Sequence, residues 1–165
     1  MAQITLKGNP VNTIGSLPEV GSTAPDFKLT TGDLHDVTLA DYAGKKKILN
    51  IVPSLDTGTC AASAKTFDKR AHTLKNTVVI TVSMDLPFAQ QRFCQTEGVG
   101  NVVTLSAFRS PYFGRDYGVQ MTDGPLEGLL SRAVVVLDED NRVLYTEQVP
   151  EIAQEPDYDT AVSKL

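Results

Sequence analysis

Cys60 stands between a strand-like stretch and a helix-like stretch. The apolar run 47–52 precedes it, and the run 61–67, which favours a helix, follows it directly. This context predicts that the Cys60 sulfur lies in the first turn of a helix, where unpaired backbone N–H groups and the positive end of the dipole favour a thiolate. A thiolate is a nucleophile, so the predicted chemistry is attack by sulfur.

The second of the two cysteines is Cys94, 34 positions further along the chain. The most economical chemistry is that one sulfur attacks and the other resolves the product. Other interpretations stay open at this point. Cys60 could be an inert core thiol, although the polar segment 56–59 argues against it, and Cys94 could belong to an apolar helix face with Phe88 and Phe93.

Length and composition limit the class of protein. A chain of 165 residues with 41% hydrophobic content predicts one domain spanning 1–165. Its apolar runs are far shorter than the roughly 18 residues of a membrane span, and its start lacks the pattern of a secretory signal, so we expect a cytoplasmic protein without membrane contact. In that reducing compartment, the cysteines are expected to be reactive or inert rather than a permanent disulfide.

The charge argues against a nucleic-acid partner. The formal net charge is −5 and the pI is near 4.9. The only compact basic run, 45–47, comes just before an apolar stretch, and we interpret it as the solvated start of a strand.

The two histidines offer little additional chemistry. His35 and His72 do not form closely spaced ligand pairs with the cysteines, so neither a metal site nor a cofactor is predicted. A cysteine hydrolase would need a histidine base beside Cys60. A thiol-disulfide oxidoreductase ranks low as well, since Ser63 stands where a Cys-x-x-Cys motif would have its second cysteine.

The elements that must position these residues alternate in type. The opening residues predict a β-hairpin within 1–16, and a short strand and a helical turn follow at 27–30 and 38–42. The later predicted strands are 47–53, 77–83, 102–105, 132–137 and 142–148, and the predicted helices are 60–74, 87–97, 111–117 and 157–165. This order predicts an α/β fold with a mixed central β-sheet flanked by helices on both faces.

Five segments of the chain together resemble one known family. They are 21–29 (GSTAPDFKL), 53–63 (PSLDTGTCAAS), 85–94 (DLPFAQQRFC), 123–126 (DGPL) and 132–136 (RAVVV). In this order they resemble the peroxiredoxins, and most closely the bacterial thiol peroxidases of the atypical two-cysteine type. A cysteine within the helix that begins Leu-Pro-Phe-Ala makes the match specific.

The resemblance implies a thioredoxin-like fold with an added N-terminal β-hairpin. It also implies reduction of hydrogen peroxide and organic hydroperoxides, thioredoxin as the reductant of a Cys60–Cys94 disulfide, and a homodimer. By position, Cys60 matches the peroxidatic cysteine and Cys94 the resolving cysteine. Pro53 and Thr57 match the active-site loop, and Arg132 matches the arginine of the substrate pocket. One departure lies at 64–65, where relatives often carry an arginine.

The chemistry gives each matched residue a task. Arg132 can favour the thiolate and donate hydrogen bonds to the peroxide. Thr57 can place a hydroxyl next to the sulfur, and Pro53 can shield the pocket from water. If the two cysteines occupy separate helices, at least one helix end must unwind before they meet. A peroxide-sensing thiol switch, which shares the first chemical step, is the alternative function. Turnover would distinguish the two, because a catalyst consumes many peroxides per chain and a sensor stops after one.

Overall fold

A seven-stranded mixed sheet forms the centre of the protein in the computed structural model, which describes residues 1–165. The strands are β3 (Leu29–Thr30), β4 (Asp36–Val37), β5 (Lys46–Ile51), β6 (Thr77–Ser83), β7 (Val103–Ser106), β8 (Ala133–Leu137) and β9 (Val143–Gln148), in the order β4-β3-β7-β6-β5-β8-β9. Strands β5, β6 and β7 are parallel, whereas β8 runs antiparallel to β5.

Helices cover both faces of this sheet, as predicted. They are α1 (Gly58–Ala71), α2 (Pro87–Glu97), α3 (Pro111–Asp116) and α4 (Tyr158–Ser163), with a 3₁₀ turn at Leu39–Tyr42. One face packs α1, α2 and α4 over a cluster that includes Ile48, Phe67 and Val134. The other face packs α3 and the 3₁₀ turn over a larger cluster around Leu49. The longest helix, α1, has 14 residues, and none of the helices could span a bilayer.

Helix α2 has the boundaries that its sequence predicts. Pro87 occupies the first turn, where its missing N–H costs nothing, and Gly98 ends the helix in a left-handed conformation with φ of 67°. The amides of Gly98 and Val99 both donate to the Cys94 carbonyl oxygen. Cys94 therefore belongs to the last turn of this helix.

An antiparallel hairpin precedes the sheet, as expected. It consists of β1 (Gln3–Leu6) and β2 (Asn9–Asn12), joined by a turn at 7–8 in which both residues have positive φ. Two hairpin side chains, Ile4 and Val11, are buried in a small cluster with Met121 and Ile152. The hairpin is thus packed against residues from the second half of the chain.

The lysine run at 45–47 differs from the sequence interpretation at one position. Lys47 is buried in β5, and its ammonium group donates to the Asn141 side-chain oxygen. Burial lowers the pKa of Lys47, and nearby Asp138 acts in the opposite direction. The prediction of a fully solvated run was wrong for Lys47, because β5 is an inner strand of the sheet and both of its faces are covered.

Candidate active site

Cys60 lies in the first turn of α1, at its third residue. Thr57 is the N-cap of this helix, and its carbonyl accepts from the Ala61 amide at 2.9 Å. The Cys60 side chain is fully buried and packs with Val52, Leu55 and Ala64. The predicted position at a helix N-terminus is confirmed, although the helix begins two residues earlier than expected.

Arg132 brings a cation to this sulfur. The residue directly precedes β8, and the pairing of Ile51 with Ala133 sets the start of β8 beside the end of β5. Its guanidinium donates from Nη2 to Cys60 Sγ at 3.2 Å and from Nε to the Ile152 carbonyl at 2.8 Å. Because a guanidinium keeps its charge in proteins, a permanent cation lies against the Cys60 sulfur.

Arg132 also has one donor group that no protein atom uses. The side chain is 1% exposed, and its Nη1 atom is buried without a hydrogen-bond partner. A buried donor without a protein partner costs free energy, and a bound ligand would remove that cost. Nη1 is a donor free to serve a ligand.

Thr57 and Pro53 line the same cavity as Arg132. The cavity has a volume of about 640 Å³. Its other lining residues are Leu6, Lys7, Asn9, Gly58, Thr59, Pro125, Leu126, Ile152 and Ala153. The Thr57 hydroxyl donates to the Ser54 carbonyl oxygen at 3.0 Å. Its oxygen lone pairs therefore let Thr57 serve the cavity as an acceptor.

Cys94 lies apart from this cavity in the apolar layer between α2 and the sheet. Its sulfur is half-buried, 3.9 Å from the Thr104 hydroxyl oxygen on β7. Burial raises the pKa of the Cys94 thiol, and the Thr104 hydrogen bond offsets part of that increase. Both cysteines are free thiols.

Phe93 packs against the residues around both cysteines. It contacts the cluster that contains Cys60 and also the cluster against which Cys94 packs. The structure thus brings Cys60, Arg132, Thr57 and Pro53 together and keeps Cys94 in a separate packing environment.

Asp85 has a structural role that sequence reasoning did not assign. Its carboxylate accepts from the Ser54 hydroxyl at 2.7 Å, the Leu55 amide at 2.8 Å and the Ser83 hydroxyl at 2.7 Å. It thereby fixes the loop before Cys60 to the start of α2. The available signal was an acidic residue two positions after a buried parallel strand, at the sheet edge where the Cys60 loop also lies.

Ser63 is a packing residue rather than a reactive one. It is fully buried, donates to the Cys60 carbonyl at 2.9 Å and accepts from the Asn50 side chain at 3.3 Å. His35 and His72 are exposed. The structure contains no group of three or more His, Cys, Asp or Glu side chains that could hold a metal ion.

Comparisons with known proteins agree with this geometry. The Redoxin family model matches residues 19–162. The thiol peroxidase of Mycobacterium tuberculosis is 56% identical over 165 residues, which cover 100% of this chain and 99% of that protein.

Solved structures show the same architecture. The crystal structure of a peroxiredoxin-like protein from Aquifex aeolicus has a TM-score of 0.93 and 39% identity, covering 99% of this chain and 95% of that one. The thiol peroxidase from Chromobacterium violaceum has a TM-score of 0.88 and 25% identity, covering 96% and 91%. With a buried cysteine and arginine in contact on a thioredoxin-like fold, the chain belongs to the Redoxin family, among the peroxiredoxin-type thiol peroxidases.

Proposed function

We propose a division of labour for the thiol-dependent peroxidase activity of this chain, in which Cys60 attacks the peroxide and Cys94 resolves the product. The observation that carries the proposal is the contact of the buried Arg132 guanidinium with Cys60 Sγ at 3.2 Å. This contact places a permanent positive charge beside the sulfur. The sulfur also lies in the first turn of a helix, at the positive end of the helix dipole. Both effects stabilise the thiolate.

In the first step, the Cys60 thiolate forms a bond with the terminal oxygen of the hydroperoxide. The O–O bond breaks, and the other oxygen leaves as an alkoxide or hydroxide and takes up a proton to become alcohol or water. Arg132 donates a hydrogen bond from Nη1 to the departing oxygen, and the Thr57 hydroxyl oxygen accepts a hydrogen bond from the peroxide O–H group. Buried Pro53 keeps water from the pocket.

In the second step, the Cys94 sulfur attacks the Cys60 sulfenic acid, which releases water and leaves a disulfide. Cys60 and Cys94 pack in separate clusters, so we expect the two helices to open locally before their Cα atoms come within the roughly 7 Å of a disulfide. Gly58 at the start of α1 and Gly98 at the end of α2 are the points where the backbone opens most easily.

The substrates are hydrogen peroxide and organic hydroperoxides. The cavity next to Arg132 supports the second class, because apolar side chains such as Leu6, Leu126 and Ile152 line it. The reductant is thioredoxin, which reduces the Cys60–Cys94 disulfide by thiol exchange. The cycle requires no cofactor and suits the reducing cytoplasm.

A homodimer is part of the proposal. Exposed apolar side chains follow the ends of the neighbouring strands β6 and β7 and support an interface there. They are Leu86, Phe88, Phe108 and Tyr112. The dimer stays a prediction, and a measurement of the molecular mass in solution would test it.

The decisive experiment is coupled peroxide turnover with thioredoxin and its reductase. We expect Cys60→Ser to lose all turnover, because it removes the nucleophile. Cys94→Ser should consume one peroxide per chain and then stop, since thioredoxin has no disulfide to reduce. Ser63→Ala serves as a control that leaves both sulfurs in place. Full turnover by Cys60→Ser would overturn the proposal, and arrest of the unaltered chain after one peroxide would indicate a sensor instead.

A further inference from the structure

The orientation of the Arg132 guanidinium depends on one backbone carbonyl. Apart from Cys60 Sγ, its only protein acceptor is the Ile152 oxygen, at 2.8 Å from Nε. An arginine side chain has many rotamers, and a planar guanidinium acts well only when it is held in place. The position of Ile152 therefore decides where the charge sits relative to the sulfur.

The N-terminal hairpin holds the segment that contains Ile152. The Thr5 amide donates to the Pro150 carbonyl at 2.8 Å, and the Ile152 amide donates to the Thr5 carbonyl at 2.9 Å. On the other side, the Thr59 hydroxyl in α1 donates to the Ala153 carbonyl at 3.1 Å. Residues 150–153 thus bridge β1 and the helix of Cys60.

The Glu151 carboxylate fastens this bridge at three points. Its Oε1 atom accepts from the Thr5 hydroxyl at 3.0 Å and the Gly8 amide at 2.9 Å, and Oε2 accepts from the Ala153 amide at 2.9 Å. The hydrogen bonds from the amides of Ala153 and Gly8 lower the pKa of Glu151 to about 2. The carboxylate is therefore charged throughout the neutral range.

We propose that Glu151 is a positioning residue for Arg132, acting through the backbone of residues 151–153. It ties the hairpin turn to the segment whose Ile152 carbonyl orients the guanidinium toward Cys60. The N-terminal hairpin thereby contributes to thiolate stabilisation in addition to lining the cavity. This inference rests on the proposed function of Arg132 and Cys60.

The substitution Glu151→Gln tests the link with little change in shape. A glutamine amide has one acceptor oxygen, and its NH₂ group would face a backbone N–H at Gly8 or Ala153. The hydrogen bond from one of these two backbone amides is then lost. Glu155→Gln is the matched control, because it removes the same charge four residues further along the chain. The Glu155 carboxylate is exposed and accepts only from the Tyr158 hydroxyl.

The measurements use the Cys94→Ser background, in which Cys60 is the only thiol. The ultraviolet absorbance of the thiolate at neutral pH and the rate of the first reaction with hydrogen peroxide are recorded. We expect Glu151→Gln to reduce the thiolate absorbance and to slow the reaction roughly tenfold. Glu155→Gln should match the parent in both measurements.

A double-mutant cycle with Arg132→Gln separates positioning from general destabilisation. If Glu151 acts through Arg132, adding Glu151→Gln to Arg132→Gln should produce no further slowing. Equal slowing in both backgrounds, or parent behaviour of Glu151→Gln, would overturn the inference. Should Glu151→Gln not fold, Thr5→Val removes one donor to the same carboxylate and should show the same non-additivity with a smaller effect.

The failure of the proposed function gives a different result. If the parent chain does not react with peroxide through Cys60, the division of labour is wrong. The thiolate absorbance of Glu151→Gln still reports on the link between Glu151 and Arg132, because that signal requires no peroxide.

Discussion

The two thiols differ in what surrounds each sulfur atom. Cys60 Sγ lies 3.2 Å from a guanidinium nitrogen, whereas the side-chain hydrogen bond of Cys94 Sγ goes to the neutral hydroxyl of Thr104 at 3.9 Å. A cation stabilises a thiolate, and an apolar layer stabilises a neutral thiol. This asymmetry suits one sulfur that attacks an oxidant and another that waits in the protonated form.

The raised pKa of Cys94 predicts slow alkylation in the folded protein. In Cys60→Ser, the thiol should react slowly with iodoacetamide at neutral pH, because burial favours its neutral form. The rate should climb with rising pH and level off above the range usual for a free cysteine. Mass spectrometry of samples quenched at each pH measures the rate, and the urea-unfolded chain is the control with an ordinary thiol. The prediction would be contradicted if the alkylation rate of the folded protein levelled off at a lower pH than that of the unfolded chain.

The two cysteine-bearing helices are joined by charged side chains at both ends of α2. Asp85 ties the start of α2 to the Cys60 loop through Ser54 and Leu55. At the other end, Asp68 of α1 accepts from the amides of Gly100 and Asn101 at 3.1 and 2.6 Å. In the proposed cycle Cys94 moves toward Cys60, so we expect these hydrogen bonds to loosen and to influence the rate of disulfide formation.

We predict that Asp68→Asn speeds disulfide formation. Weakening hydrogen bonds to a buried carboxylate costs about 1.5–3 kcal/mol, and part of that cost lowers the barrier to opening the end of α2. The disulfide should form roughly three to ten times faster after a single peroxide pulse, as followed by rapid quenching and mass spectrometry. Over-oxidation of Cys60 should fall in parallel.

Lys65→Met is the control for this prediction. Lys65 pairs with Glu97 of α2 at 2.7 Å, but both side chains are over a third exposed. Exposed ion pairs contribute about 0–1 kcal/mol, so this variant should change the rate much less than Asp68→Asn. If Asp68→Asn forms the disulfide no faster than the parent, the end of α2 does not limit the step.

The whole chain is expected to fold as one domain spanning 1–165. Residues far apart in sequence pack closely: a Cβ built on Gly118, whose φ is +69°, would overlap the carbonyl of Ser16. The hairpin also packs on Met121 and Ile152. We therefore propose that the hairpin and the central sheet unfold together.

This proposal predicts the effect of two glycine substitutions. Gly118→Ala should lower the free energy of unfolding by at least about 2 kcal/mol, because the Ser16 backbone cannot move aside cheaply. Gly128→Ala, at φ of +91° with open space around it, should cost only about 1 kcal/mol. Urea unfolding followed by circular dichroism measures the free energy of unfolding. Amide exchange at Ile4 and Ile48 compares the opening of the hairpin with that of β5. A hairpin that exchanges independently of β5 would argue for two cooperative units.

The sequence by itself determined the local features of this protein. A buried strand followed by Cys60 and a helix-favouring run predicted the nucleophile at a helix N-terminus, and the helix predicted over 87–97 has the bounds of α2. These features depend on neighbouring residues, because caps, turns and strand periodicity act within a few positions. The place of Arg132 in the pocket came from the family resemblance.

Only the tertiary structure decided which distant groups meet. The antiparallel pairing of β5 with β8 brings Arg132 within 3.2 Å of Cys60, across 72 positions. The burial of Lys47 and the contact of Glu151 with Gly8 also lie beyond local patterns. Strand order and loop packing result from the summed burial of the whole core, and no short segment encodes that sum.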